Sequence, residues 1–192
     1  MRTYVVKEFQ IHDIQFSIRL EFFNLADLIC KIIKMKQVLF IAALFMAFSS
    51  LNAQTKVFKG TSSYSSDVLC SLNNSKVYKK SSSYSSDVIC TINGTKVYKG
   101  NSSYSSDVIY NVSDGKVYKG NSSYSSDVVM TIRDGKIYKG TSSYSSDVIA
   151  TIKDGKVYTG NSSYSSDIQF SINGFVTIVE FVAIWHAVNY SY

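Results

Sequence analysis

There is no proline among the 192 residues. No segment is therefore a polyproline spacer, and every strand is free to use all its backbone N–H groups in a ladder. Histidine is scarce: His12 and His186 are the two, and glutamate occurs once beyond Ala53, as Glu180. Serine is abundant, but no histidine base shares a motif with it, and neither a Gly-x-Ser-x-Gly elbow nor a phosphate-cradling glycine loop is present. Glu180 lies six residues from His186 and so off its helical face. These shortages argue against an enzyme, and no catalytic residue, metal or cofactor is expected. The cysteines are only Cys30, Cys70 and Cys90, too few for a disulfide framework. Charge is also modest. From Gln54 onward, 13 Lys and one Arg face nine Asp and one Glu, a net of +4. So small and evenly spread an excess gives no reason to expect nucleic acid as a partner.

The front of the chain is unlike the rest. Met35 to Ala53 has one lysine (Lys36), an apolar run from Val38 to Phe48, then small and polar residues. That is the layout of a secretory signal peptide, with cleavage expected after Ala53. The apolar run is shorter than a normal membrane span; a retained anchor helix is the other reading. Residues 1–34 show no sustained hydrophobic period and are expected to be an extension ahead of the true start at Met35. The chain from 54 to 192 is then one exported domain, in the periplasm, the cell envelope or outside the cell.

That domain is a repeat with a period of 20 residues and no insertion. A Lys-Val-Tyr-Lys element starts at Lys56, Lys76, Lys96, Lys116, Lys136 and Lys156. A Ser-Ser-Tyr-Ser-Ser-Asp element centres on Tyr64, Tyr84, Tyr104, Tyr124, Tyr144 and Tyr164. Within a unit, the β-branched runs Val128–Ile132 and Lys136–Lys139 flank Asp134-Gly135, the preferred pair for a type I′ turn, in which both central residues need positive φ. Asp114-Gly115 and Asp154-Gly155 repeat the signal, Asn93-Gly94 shifts it by one residue and Asn74-Ser75 is its weakest form. A two-residue turn pairs Ile132 with Ile137 and Met130 with Lys139. The alternation then expects Val128, Met130, Ile132 and Ile137 inward, with Val129, Thr131 and Tyr138 outward. One inward position varies in size: Cys70, Cys90, Tyr110, Met130, Ala150, Phe170. A wall around something asymmetric would need that variation.

The polar linkers are expected to be turn chemistry, with Asp127 and its five equivalents capping a turn and each linker tyrosine packed over a neighbouring hairpin. Six equivalent carboxylates imply six equal structural jobs. Cys70 and Cys90 sit two strands apart, about 10 Å, beyond the roughly 7 Å that a disulfide spans, so two buried thiols are expected. After Ile172 the repeat stops. Thr177 and Glu180 form a capping box ahead of a helix over about 178–188 that is apolar all round. Twelve antiparallel strands in a closed or nearly closed barrel, with this helix buried inside, follow from the arithmetic; a β-solenoid is the rival but lacks such reversals.

The short hairpins with Asp-Gly or Asn-Gly turns resemble the β-flower families of bacterial proteins over about Lys56 to Tyr192. A barrel around an apolar C-terminal helix is similar in architecture to the Tubby C-terminal domain, a likeness that carries over no residue. Tubby-like domains bind phosphoinositide head groups through basic residues. The comparable chemistry here could come only from Lys79, Lys99, Lys119 and Lys139, although an exported bacterial protein would not meet that lipid. The candidate binding surface is these lysines with Tyr78, Tyr98, Tyr118, Tyr138 and Tyr158, where rings would supply stacking and amines charge. Anionic lipid is the expected partner and a glycan the alternative. The sequence sets no oligomeric state.

Overall fold

The computed structural model describes residues 54–190; the expected leader at 35–53 and the segment 1–34 lie outside the described residues. Twelve strands are formed: β1 (Thr55–Lys59), β2 (Val68–Asn73), β3 (Lys76–Lys79), β4 (Val88–Asn93), β5 (Lys96–Lys99), β6 (Val108–Ser113), β7 (Lys116–Lys119), β8 (Val128–Arg133), β9 (Lys136–Lys139), β10 (Val148–Lys153), β11 (Lys156–Thr159) and β12 (Ile168–Asn173). One helix, α1 (Ile178–Tyr190), follows. The strands pair in sequence order, and β1 pairs with β12 to close the barrel.

The hairpin turns form where Asp-Gly requires them. Ser113 pairs with Lys116 and Arg133 with Lys136, leaving Asp114-Gly115 and Asp134-Gly135 as central residues with positive φ throughout. In the variant turn Asn93 pairs with Lys96, so Gly94 (φ 59) moves into the first central place.

Closure depends on a hairpin made from the two ends of the repeat. Val57 pairs with Ile172 and Phe58 with Ser171, the register that Val77 and Tyr78 make with Leu72 and Ser71 inside one hairpin. β1 therefore supplies the partner strand that the sequence omits after Ile172. The chain beyond β12 is released from the wall. Gly174 (φ +135) makes the exit: a Cβ there would meet the Thr55 hydroxyl at 2.7 Å.

Every strand gives at least one side chain to a single core that also contains Phe181, Val182, Ala183, Ile184, Trp185 and Ala187 of α1. Contributions from all twelve strands to one cluster place the helix inside the barrel. Its 13 residues span about 20 Å, close to the length of the six-residue strands such as β2 at about 20 Å. The variable inward position fits the helix. Small Cys70 and Cys90 stand on β2 and β4, two of the strands α1 packs against, and the Cys90 Sγ approaches the Ala183 carbonyl at 3.7 Å. On other strands Tyr110 meets His186 edge-on at 5.6 Å and Phe170 meets Trp185 at 6.3 Å. The capping box forms as expected: Thr177 N donates to Glu180 Oε2 (2.7 Å), and Glu180 N donates to Thr177 Oγ1 (3.3 Å).

The expected inward face is corrected at one position. Val128 does not face inward with Met130. Between β7 and β8 the register passes from Val117↔Met130 to Tyr118↔Val128, so Val129 is an extra residue and the strand has a bulge there. The bulge turns Val128 to the outer face beside Tyr118. The same shift recurs where each odd strand meets the next even one. Val68, Val108, Val128 and Val148 are accordingly buried yet lie outside the inner core. The helix also continues to Tyr190 rather than ending near 188.

After each odd strand the chain turns through a left-handed residue. Five of these are glycines and the sixth is Lys80 (φ 50), whose N–H donates to Leu69 O at 3.0 Å. A left-handed Lys costs about 1 kcal/mol relative to Gly. Lys80→Gly should therefore raise unfolding stability by about 1 kcal/mol. Gly115→Ala should lower it by about 2 kcal/mol, since φ is +72 and the new Cβ would meet the Ile132 carbonyl oxygen at 2.6 Å. Urea denaturation followed by circular dichroism measures both changes.

Candidate functional site

Tight turns close one end of the barrel and linkers the other. In each linker a serine and an aspartate form a clamp: Ser62 Oγ donates to Asp67 Oδ2 at 2.5 Å and accepts from Tyr64 N at 3.2 Å. Asp67 N donates to Tyr64 O at 3.0 Å, closing a short 3-10 turn over Ser65–Asp67. The same clamp joins Ser82 to Asp87, Ser102 to Asp107, Ser122 to Asp127, Ser142 to Asp147 and Ser162 to Asp167. The aspartates do not cap the turn as expected: the serine hydroxyl accepts the tyrosine N–H, and each carboxylate holds that serine in place, one geometry used six times. Four of the six linkers are also tied to the outer face of the hairpin before them. Thr91, Thr131 and Thr151 Oγ1 donate to the carbonyls of Gly100, Gly140 and Gly160 at 2.7–2.8 Å, and Asn111 Nδ2 donates to Ser122 O at 3.0 Å.

The linker tyrosines do not pack as expected. Tyr64, Tyr84, Tyr104, Tyr124, Tyr144 and Tyr164 are each 74–75% exposed. The clamp consumes the serine hydroxyl and the carboxylate and holds the backbone of the tyrosine, leaving its ring in solvent.

The predicted lysine and tyrosine series separate. Tyr98, Tyr138 and Tyr158 are only 8% exposed, and Tyr78 and Tyr118 are half-buried. Their rings lie on the outer face, paired with Val88, Val108, Val128, Val148 and Ile168. Lys79, Lys99, Lys119 and Lys139 are exposed, and each pairs with an inward-facing residue: Cys70, Cys90, Tyr110 and Met130. They therefore lie on the inner side of the wall at the linker end. Lys59, opposite Phe170, joins them; the sequence reading missed it because its strand has no hairpin of its own. Thr159, opposite Ala150, takes the sixth place.

The helix ends inside this ring. Ala183, Trp185 and His186 sit at the level of Cys90, Phe170 and Tyr110, the layer opposite the lysines, and residues 187–190 continue past it. Partial negative charge at a helix C-terminus favours nearby cations. No ion pair joins any of the five to a carboxylate among the described residues, where the salt bridge present is Arg133 with Asp134 at 3.6 Å.

Two buried thiols and a half-buried histidine lie just below. Cys70 and Cys90 are free and buried, as the hairpin spacing requires. Burial pushes the thiol pKa of each up to about 12, and for Cys90 the neighbouring Cys70 adds to the rise. His186 stacks on Tyr190 at 5.7 Å, its Nδ1 is buried without a hydrogen-bond partner among the described residues, and burial lowers its pKa. No group of His, Cys, Asp and Glu that could hold a metal occurs among the described residues.

In comparisons with known proteins, the family described as 6-fold beta flower protein matches residues 57–185. No curated protein and no solved structure matches the chain, so the architectural likeness to the Tubby domain gains no support from them.

Two solution properties follow from the buried groups. Both thiols should resist iodoacetamide at pH 8 in the native protein and react fully in about 6 M guanidinium, a denaturant concentration on the order of that needed to unfold stable domains. A Cys70–Cys90 disulfide in the intact protein by mass spectrometry would contradict the strand spacing. Because the folded state holds His186 neutral, the unfolded chain takes up its proton first as pH falls. Stability contributed by that neutrality is complete above the unfolded histidine pKa, about 6.5, and declines as pH drops below it. The loss of melting temperature between pH 7.5 and 5 should shrink in His186→Phe, measured by thermal unfolding at each pH.

Proposed function

The chain belongs to the 6-fold beta flower protein family, and we propose that this β-flower module is exported and serves without catalysis, as a rigid mount that presents a ring of lysines to the anionic head groups of a membrane surface. The observation that carries this reading is the placement of Lys59, Lys79, Lys99, Lys119 and Lys139 around one opening, all exposed and none tied to a carboxylate among the described residues. A closed wall fixes their spacing, so little conformational freedom is lost when several amines meet phosphates together. The leader-like stretch Met35–Ala53 supports export. The alternative of glycan stacking on Tyr78, Tyr98, Tyr118, Tyr138 and Tyr158 has less support, because three of those residues are buried and two half-buried.

Cosedimentation of the chain from Gln54 with vesicles tests the reading. Binding is expected to vesicles containing anionic lipid, to fall with added salt, and to be absent from purely zwitterionic vesicles. Each Lys→Gln change at the five positions should weaken it by about fivefold, in line with roughly 1 kcal/mol per basic residue at an anionic surface. Binding that ignores lipid charge, or that survives replacement of all five, would overturn it.

A further inference from the structure

We propose that the six linker tyrosines, Tyr64, Tyr84, Tyr104, Tyr124, Tyr144 and Tyr164, are a multivalent binding surface for a neutral polysaccharide. This is separate from the lysine ring, in its residues and in its ligand.

The first support is exposure without a packing reason. A tyrosine ring left 74–75% exposed contributes little to the fold, and here it happens at every repeat. The neighbouring positions divide sharply. Ser62 and Asp67 have an internal task, the clamp. Tyr64 is held by that clamp only through its backbone.

The second is preorganisation. The six tyrosines share one backbone pose, from φ −78 and ψ 141 at Tyr64 to φ −82 and ψ 140 at Tyr124. Six backbones held alike on a closed wall leave only the side-chain rotamers to be fixed on binding. Their surroundings are serine, joined by Asn101, Asn121 and Asn161 in three linkers and by Thr61 and Thr141 in two, a composition suited to binding loops because Tyr supplies rigid amphipathic area and hydroxyl and amide groups supply adaptable hydrogen bonds.

The third is the nature of the ligand. Six near-identical loops suit a partner that offers the same feature repeatedly, as a polymer of one sugar does and a protein surface does not. Between the clamped residues the exposed segment Ser63–Ser66 carries no charge, and Asp67 is engaged by Ser62, so a neutral polymer fits better than an acidic one. The apolar face of a pyranose ring stacks on an aromatic face, and its hydroxyls meet serine hydroxyls. The rings stand apart among hydroxyl groups and form no continuous apolar patch of the kind a hydrophobic partner would need.

The experiment uses the chain from Gln54 in pull-down on cellulose, chitin, mannan and galactan, with the six tyrosines replaced by alanine singly and together. Exposed side chains of this kind should leave the melting temperature unchanged, which thermal unfolding verifies. Retention on at least one polysaccharide is expected. Each single change should weaken it by a few-fold, and the sixfold alanine variant should lose the avidity gain of about 10²-fold or more. Tyr→Phe at all six positions should keep most of the binding, since stacking needs only the ring. The Lys→Gln variant should bind polysaccharide normally, and the sixfold alanine variant should still bind anionic vesicles, so the two readings fail separately. Retention on none of the four polymers would overturn the proposal. So would undiminished retention of the alanine variant, or loss of vesicle binding without any polysaccharide binding.

Discussion

A closed sheet of twelve strands encloses more space than its own side chains can fill. Small barrels of about eight strands pack their interiors with the residues of the wall, and wider ones need a ligand, water or another piece of chain. Here the filling is α1, and most other features follow from that requirement. The helix must be apolar on every side, because every side meets wall. It must be released from the sheet at the right place, which is why the repeat is broken after Ile172 and β1 takes over the pairing. Its round cross-section differs from a sixfold wall, so the inward position opposite it cannot be the same in each repeat. Cys70 and Cys90 are small where α1 packs, and Tyr110 and Phe170 reach across to His186 and Trp185.

This requirement also explains how much was legible in the sequence. Turn chemistry at Asp114-Gly115 and its equivalents specifies the hairpins, the hairpin count implies closure, and the single irregular column of inward residues signals an asymmetric filler. The capping box at Thr177 and Glu180 marks where that filler begins. Local chemistry with a fixed period leaves a strong imprint. What escaped is geometry with no residue signature. A bulge adds one residue to a strand without demanding a glycine or a proline, and Val129 looks like any other β-branched strand residue. Strict alternation through it therefore put Val128 on the wrong face.

The site divides along the same line. The lysines were found as a series because they recur, yet Lys59 was missed, since its partner strand is 111 positions away in Phe170 (Lys59↔Phe170) and closure alone brings the two together. The tyrosines of the Lys-Val-Tyr-Lys element were misjudged as surface because a strand that alternates in and out does not reveal that linkers cover its outer side. Side-chain pattern gives direction from the sheet; it does not give what lies above it. The hydrogen bonds from Thr91, Asn111, Thr131 and Thr151 to the linkers are what turn an outer face into a second buried layer.

The linker then has two parts under different constraints. Ser62, Asp67 and the left-handed residue ahead of them are fixed by the path of the chain, and any repeat that lost them would lose its return to the wall. Lys80 shows that even this has slack, since a left-handed lysine is tolerated at a modest energetic cost. The tyrosine has no such tie. It touches the clamp only through its backbone, and its ring could be alanine, serine or lysine without disturbing a contact in the fold. Stability alone would let these six positions drift apart, as the inward column has drifted to suit the helix. They are nevertheless identical, while the inward column against the helix varies. The buried Val57, Val77, Val97, Val117 and Val157 are uniform because each fills the same place in the wall, whereas the exposed rings have no contact in the fold to account for their sameness, which points to a partner outside the barrel.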